Sequence, residues 1–161
     1  MAIPIHMSAT GQTQGAMTND CCTIKQRKDT CLIIAYEHEV ISPRDAATGL
    51  STGKRQHKPF RITKEIDRST PMFFSALTRN EIMTEVLFQH FYTTKEGVET
   101  LLYTVKLINA NLSGIRSWMH NTKDESTKAL GYLEEISFTY ERIEWSHEVG
   151  STSAVDDWTE R

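Results

Sequence analysis

Alternation with a period of two runs through most of the chain, which predicts strands rather than helices. Residues 31–41, Cys-Leu-Ile-Ile-Ala-Tyr-Glu-His-Glu-Val-Ile, show it first. Leu32, Ile34, Tyr36, His38 and Val40 share one face, and Ile33, Ala35, Glu37 and Glu39 share the other, which turns polar halfway along. A strand covered on both faces for half its length and on one face for the rest would read this way. A second strand is expected at about 57–66, where Phe60, Ile62 and Ile66 alternate. A hairpin follows. Its first strand, about 82–93, alternates Ile82, Thr84, Val86, Phe88, His90 and Tyr92; its second covers about 98–110. The connection Thr94-Lys95-Glu96-Gly97 has hairpin length, with glycine where a positive φ is expected. The last strand, about 131–148, puts Ile136, Phe138 and Tyr140 on one parity and Ile143 and Trp145 on the other. One face cannot bury both sets. A bulge, or passage from one sheet to another, is required, and that predicts a barrel or tightly rolled sandwich rather than a flat sheet.

The breaks in this pattern are informative. Ser69-Thr70-Pro71 supplies a hydroxyl N-cap and a proline where a helix tolerates it, and Phe73, Ala76 and Leu77 then recur at helical spacing. One short helix, about 70–79, is expected to press an aromatic face onto a sheet and to stop at Asn80. Residues 42–56 are rich in turn formers and hold one sizeable apolar residue, Leu50. A structureless loop of that length is usually functional or flexible, so this segment is read as an arm that leaves the body and returns. Residues 111–130 are polar and irregular, with a turn expected at Trp118–Asn121, and 150–161 reads as a polar tail.

The chain is 161 residues long, one domain's worth, with ordinary hydrophobic (39%) and charged (24%) fractions. These values exclude disordered and fibrous classes, and no apolar run approaches the roughly 18 residues of a membrane helix. The net charge of −3 conceals an asymmetry: residues 1–80 carry +4 and residues 81–161 carry −7. Such a split would let copies attract one another, basic face to acidic face.

Candidate chemistry adds little. Gly49-Leu-Ser-Thr-Gly53-Lys54-Arg55 has three residues between its glycines and Arg after Lys, where a phosphate loop needs four and Ser/Thr. Glu37, His38, Glu39 and His57 lack a metal-ligand spacing, and His38 would point away from its neighbouring acids. Glu134 and Glu135 would face opposite sides of a strand, which excludes a general acid–base pair. Cys21, Cys22 and Cys31 are odd in number and two are adjacent, a poor disulfide or zinc framework, so reduced thiols are expected. No active site, cofactor motif or metal site emerges, and an enzyme is not expected. The basic stretch Lys54, Arg55, His57, Lys58, Arg61 and Lys64 interleaves only Phe60, where single-strand binders need several exposed aromatics. It is read as a solvated basic arm, or one that meets an acidic protein surface. A β-barrel binding single-stranded nucleic acid or a protein partner stays as the alternative.

Several ordered motifs resemble the haemolysin-coregulated protein (Hcp) family, the tube proteins of bacterial type VI secretion systems. They are Glu37-His-Glu-Val-Ile41, Pro43-Arg-Asp45, Thr48-Gly49 with Gly53-Lys-Arg-Gln-His-Lys-Pro59, Ile62-Thr-Lys64, Ser69-Thr-Pro71, Met119-His-Asn121, Phe138-Thr-Tyr-Glu-Arg-Ile-Glu-Trp-Ser-His-Glu148 and Gly150-Ser-Thr-Ser-Ala-Val-Asp-Asp-Trp158. The resemblance spans most of 31–158, and residues 8–30 depart from it.

The resemblance implies a mainly β fold: a rolled two-sheet barrel flanked by one short helix, with a long protruding loop. It implies a ring, usually of six copies, stacking into a tube that a sheath drives outward, with small effectors held in the lumen. Expected partners are other copies of the chain, small secreted effectors, and sheath and spike or baseplate components, with no nucleic acid and no membrane insertion. Export from the bacterial cytoplasm without a signal peptide is implied too; no Lys or Arg precedes Lys25 and no apolar signal core follows. The chain stops just after the shared tail, the expectation for a plain tube subunit without an appended domain. On this reading Arg44, Asp45, Lys54 and Arg55 form the subunit- and ring-stacking contact of the arm, and Glu37 and Glu39 face the lumen.

Overall fold

A computed structural model describes residues 3–159; the first two and last two residues lie outside the described residues. Eleven strands and one α-helix follow in chain order. They are β1 (Ile5–Gly11), β2 (Gly15–Ala16), β3 (Cys31–Glu37), β4 (Val40–Ile41), β5 (Gln56–His57), β6 (Phe60–Glu65), α1 (Thr70–Thr78), β7 (Met83–Thr93), β8 (Glu99–Met119), β9 (Tyr132–Thr139), β10 (Arg142–His147) and β11 (Thr152–Asp157). All their pairings are antiparallel. Six strands close into a ring, β8-β7-β1-β3-β6-β9 and back to β8, and β10 and β11 extend it beside β8. Closure removes free edges among the six ring strands and leaves β11, paired only with β10, as an edge.

The expected barrel is therefore present, and β8 makes it possible. Its first part pairs with β7 and β10, and residues 111–119 pair with β9. The segment 111–130 was expected to be irregular; its first nine residues are strand instead. Asn109, at φ 51°, and a register shift between Leu112 and Gly114 reset the parity, so the alternation that marks a strand is lost from the sequence. The expected 131–148 strand divides at Tyr140–Glu141 into β9 and β10, directly opposite the Asn109 kink, where the Glu141 N–H donates to the Ile108 carbonyl at 3.2 Å. That break lets Ile136, Phe138 and Tyr140 share the interior with Ile143 despite opposite parity.

The polar tail likewise contains β11, whose residues pair with β10 from Arg142↔Asp157 to His147↔Thr152. β3 ends at Glu37, and a shift between Ile33 and Ala35 turns its faces over. Cys31 and Ile33 face the core, while Leu32 and Ile34 lie 51% and 54% exposed. The Thr94–Gly97 turn is as expected, with Gly97 at φ 81° and the Thr94 N–H donating to the Val98 carbonyl at 2.8 Å. Helix α1 packs on β8, drives Phe73 edge-on against Phe138, and is over at Thr78, two residues before Asn80 turns the chain at φ 52°. Ser69 does not cap it; its hydroxyl donates instead to Asp67 Oδ1 at 2.5 Å.

The reason lies in the core. Lys64, expected in a solvated basic stretch, is fully buried. It stands directly across β6 and β9 from the equally buried Glu134, and the two form an ion pair. Lys64 Nζ also reaches Asp67 Oδ1 at 2.9 Å, and the Thr70 hydroxyl donates to Glu134 Oε1 at 3.0 Å. Burial alone would lower the Lys64 pKa, but the hydrogen bonds it donates to Glu134 and Asp67 hold it above the ordinary lysine value. Most of the interior is apolar: Met7, Phe60, Ile62, Phe88, Leu107 and Ile136 are at most 1% exposed, with His6 buried among the polar exceptions.

Candidate functional site

The arm is an ordered hairpin. β4 and β5 form its root, pairing Val40 with His57 and Ile41 with Gln56. The ladder continues outward through the Thr52 N–H to the Pro43 carbonyl at 3.0 Å and the Asp45 N–H to the Leu50 carbonyl at 2.8 Å. The tip turns at Gly49, whose φ of 71° suits glycine, and Asp45 Oδ1 accepts the Ala47 N–H at 2.8 Å. Every residue from 44 to 54 is exposed, and Leu50 at the tip is 68% exposed. Arg44, Asp45 and Lys54 thus lie together on a projecting element. Part of the Asp45 carboxylate is used in its own turn.

Arg55 behaves differently. Its Nε donates to Asp156 Oδ2 at 2.5 Å and its Nη2 to the Asp157 carbonyl at 2.7 Å. Asp156 Oδ2 also lies 2.5 Å from His57 Nε2, and His57 Nδ1 lies 2.7 Å from the Tyr140 hydroxyl. Trp158 packs on His57 with ring centroids 5.0 Å apart. The hydrogen bond from Arg55 holds the Asp156 carboxyl below its ordinary range, and burial pushes the Tyr140 hydroxyl up. This group clamps the returning leg of the arm to β11. Asp156, Tyr140 and Trp158 were not singled out by sequence reasoning, because the contacts span 83 to 102 residues and only the β10–β11 pairing brings them there.

Glu37 faces outward opposite Arg61 on β6. Glu39 pairs with Lys58 at 3.1 Å at the root of the arm. Together with Pro59 these residues line a shallow depression of about 150 Å³. Beside it, Leu32 and Ile34 carry exposed apolar surface along β3.

The topology gives the charge split a spatial form. β1, β3 and β6, from the basic half, are contiguous on one side of the ring, and β7, β8 and β9, from the acidic half, form the other. Much of that charge is already satisfied within the chain. Arg27–Glu99, Arg55–Asp156 and Lys64–Glu134 all cross between the halves. Removing these three pairs leaves +1 on the first half and −4 on the second. The basic stretch offered for nucleic acid loses Lys64 to the core and commits Arg55 to Asp156.

Comparison with known proteins agrees with this architecture. The profile of the family described as "Type VI secretion system effector, Hcp" matches residues 10–147. A curated protein of Pseudomonas aeruginosa, "Major exported protein", is 39% identical over 166 residues, covering 98% of this chain and 96% of that protein. A solved structure described as "Crystal structure of Hcp protein" superposes with a TM-score of 0.93 at 29% identity, covering 99% of this chain and 100% of that one. The secreted protein Hcp3 of Pseudomonas aeruginosa superposes with a TM-score of 0.82 at 34% identity, with the same coverage.

Proposed function

Because this chain belongs to the Hcp family of type VI secretion proteins, we propose that it is a subunit of the inner tube: six copies close into a ring, the rings stack, and the lumen carries small effectors outward. The observation that carries this reading is the ordered, fully exposed arm braced at its root by Arg55 and Asp156. A free monomer gains nothing from holding eleven exposed residues in one shape against their conformational entropy. A neighbour that receives the arm gives that order a purpose.

A ring needs heterologous contacts, one patch meeting a different patch on the next copy. The arm is one such patch, and the outward strip of Leu32 and Ile34 is a second. Magnitudes decide which forces dominate. An exposed ion pair contributes about 0–1 kcal/mol, so Arg44, Asp45 and Lys54 steer and register the contact. Burying Leu50 contributes about 1.5–3 kcal/mol, as much as several such pairs. Arg55 serves the same contact from the root by holding the arm's angle. Glu37 lies on the lumen wall with Glu39, where each selects cargo by charge. Sheath and spike or baseplate components meet the outside and the end of the tube, and the protein is exported from the cytoplasm by this machine.

Deletion of residues 46–52 tests the reading. Cross-linking of the shortened chain should show the loss of closed rings, and with them of stacked tubes. Tube formation equal to that of the full chain would overturn the role given to the arm.

A further inference from the structure

The geometry points to an oxidative modification site at Cys21 and Cys31, which close into an intramolecular disulfide when the protein meets a peroxide. The sequence reading expects reduced, structural thiols. The fold places two of them together: Cys21 Sγ, Cys31 Sγ and an Asp67 carboxylate oxygen all lie within 4.8 Å of one another. A disulfide needs the sulfurs at about 2 Å, so the two side chains have to turn toward each other for the bond to form.

The surroundings fix one cysteine and leave the other room to move. Cys31 opens β3 with 0% exposure, and its sulfur sits 3.3 Å from the Ser69 hydroxyl. Cys21 is half-buried on the loop between β2 and β3, where its thiol makes a long contact of 3.7 Å to the Asn19 carbonyl. The loop itself is held at three points. The Thr18 hydroxyl donates to the Asp29 carbonyl at 2.8 Å, the Asp20 N–H to Asp29 Oδ1 at 3.2 Å, and the Cys22 N–H to the Lys28 carbonyl at 3.1 Å. These bonds hold the segment that carries Cys21 beside the start of β3.

A metal ion suits this cluster less well. Asp67 Oδ1 already accepts from Lys64 Nζ, the Ser69 N–H and the Ser69 hydroxyl, and the buried ammonium would repel a dication. Protonation favours the redox route as well. A hydrogen bond from Cys31 lowers the Cys21 pKa to about 7, while that same bond and burial push Cys31 up. The accessible sulfur ionises near neutral pH while the buried one keeps its proton, the division expected of an attacking and a resolving cysteine.

The chemistry balances with hydrogen peroxide as oxidant. The Cys21 thiolate attacks one peroxide oxygen, the O–O bond breaks, and hydroxide leaves, giving a sulfenic acid on Cys21. Cys31 sulfur then attacks Cys21 sulfur and displaces a second hydroxide. The Cys31 proton and the proton originally lost by Cys21 convert the two hydroxides to water. Two thiols and one peroxide give one disulfide and two waters. Adjacent Cys22 would have to form a strained ring to take the place of Cys31.

The test uses the purified, reduced full chain, treated with hydrogen peroxide and digested with trypsin without reductant. Trypsin cuts at Lys25, Arg27 and Lys28, between the two cysteines, so a Cys21–Cys31 bond joins two otherwise separate peptides. The intact mass should fall by about 2 Da, the two hydrogens removed, and dithiothreitol should restore it. The Cys22→Ser variant should form the linked peptides as the parent does, and the surface variant Cys21→Ser should not. A Cys22→Ser chain that keeps both remaining thiols open to alkylation after oxidation overturns the proposal, as does oxygen addition at Cys21 with Cys31 still reduced.

Discussion

Replacing Lys64 by methionine isolates the buried network. The substitution keeps a flexible chain of similar length in an interior where Lys64 is 0% exposed, and removes only the charge and its hydrogen bonds. Two carboxylates then lose their cation. Glu134 is fully buried, and its Oε2 already has no hydrogen-bond partner, so it keeps only the Thr70 hydroxyl at 3.0 Å. Asp67 keeps the Ser69 N–H and hydroxyl. Breaking a buried pair from one side costs about 3–5 kcal/mol, whereas replacing both partners with apolar residues is often neutral or better. Lys64→Met is therefore expected to lower stability by about 3–5 kcal/mol, or roughly 10 °C in thermal midpoint for a chain of this size. Glu134→Gln should cost less, because Asp67 still faces the ammonium at 2.9 Å. The double variant Lys64→Met, Glu134→Leu should recover most of the loss. Urea denaturation of the parent, Lys64→Met, Glu134→Leu and the double variant at one protein concentration gives the coupling directly. A Lys64→Met chain within about 1 kcal/mol of the parent would refute the argument that the buried Glu134 carboxylate depends on this cation.

Two further outcomes follow from the same structure. Burial lowers the pKa values of His6, His38 and His90. The unfolded chain takes up protons near 6.5 that the folded chain refuses, so stability is lost as pH falls through that value; the thermal midpoint should drop between about pH 7.5 and pH 5, and a flat profile would contradict the assignment. Glu37→Arg should change which effectors are retained while leaving assembly intact, since Glu37 faces outward and has no role in the core; pull-down of co-expressed effectors measures it, and unchanged retention across Glu37 and Glu39 variants would remove both from the lumen wall.

Much of the fold is legible along the chain because alternation reports burial directly. Phe60 and Ile62 on β6, and Val86 and Phe88 on β7, are in the core where their parity puts them. The signal fails where a strand shifts register. Asn109 and the Leu112–Gly114 irregularity scramble the parity of β8, so its second part reads as loop. β11 is missed for another reason: its exposed residues bury too little to leave an apolar pattern. The arm is legible as a polar, turn-rich excursion, but its clamp is not. Arg55 and Asp156 lie 101 residues apart, and no local pattern joins them. Lys64 and Glu134 are the limiting case. Each reads as a surface charge, and only the register of β6 against β9 shows that the two cancel inside the barrel.

Assembly is the centre of the functional account, and native mass spectrometry of the purified full chain, paired with negative-stain microscopy of the same sample, tests it most directly. The account predicts a species of six times the 18.4 kDa chain mass, seen as rings with six-fold symmetry and an open lumen. A monomer that persists at high protein concentration would contradict it.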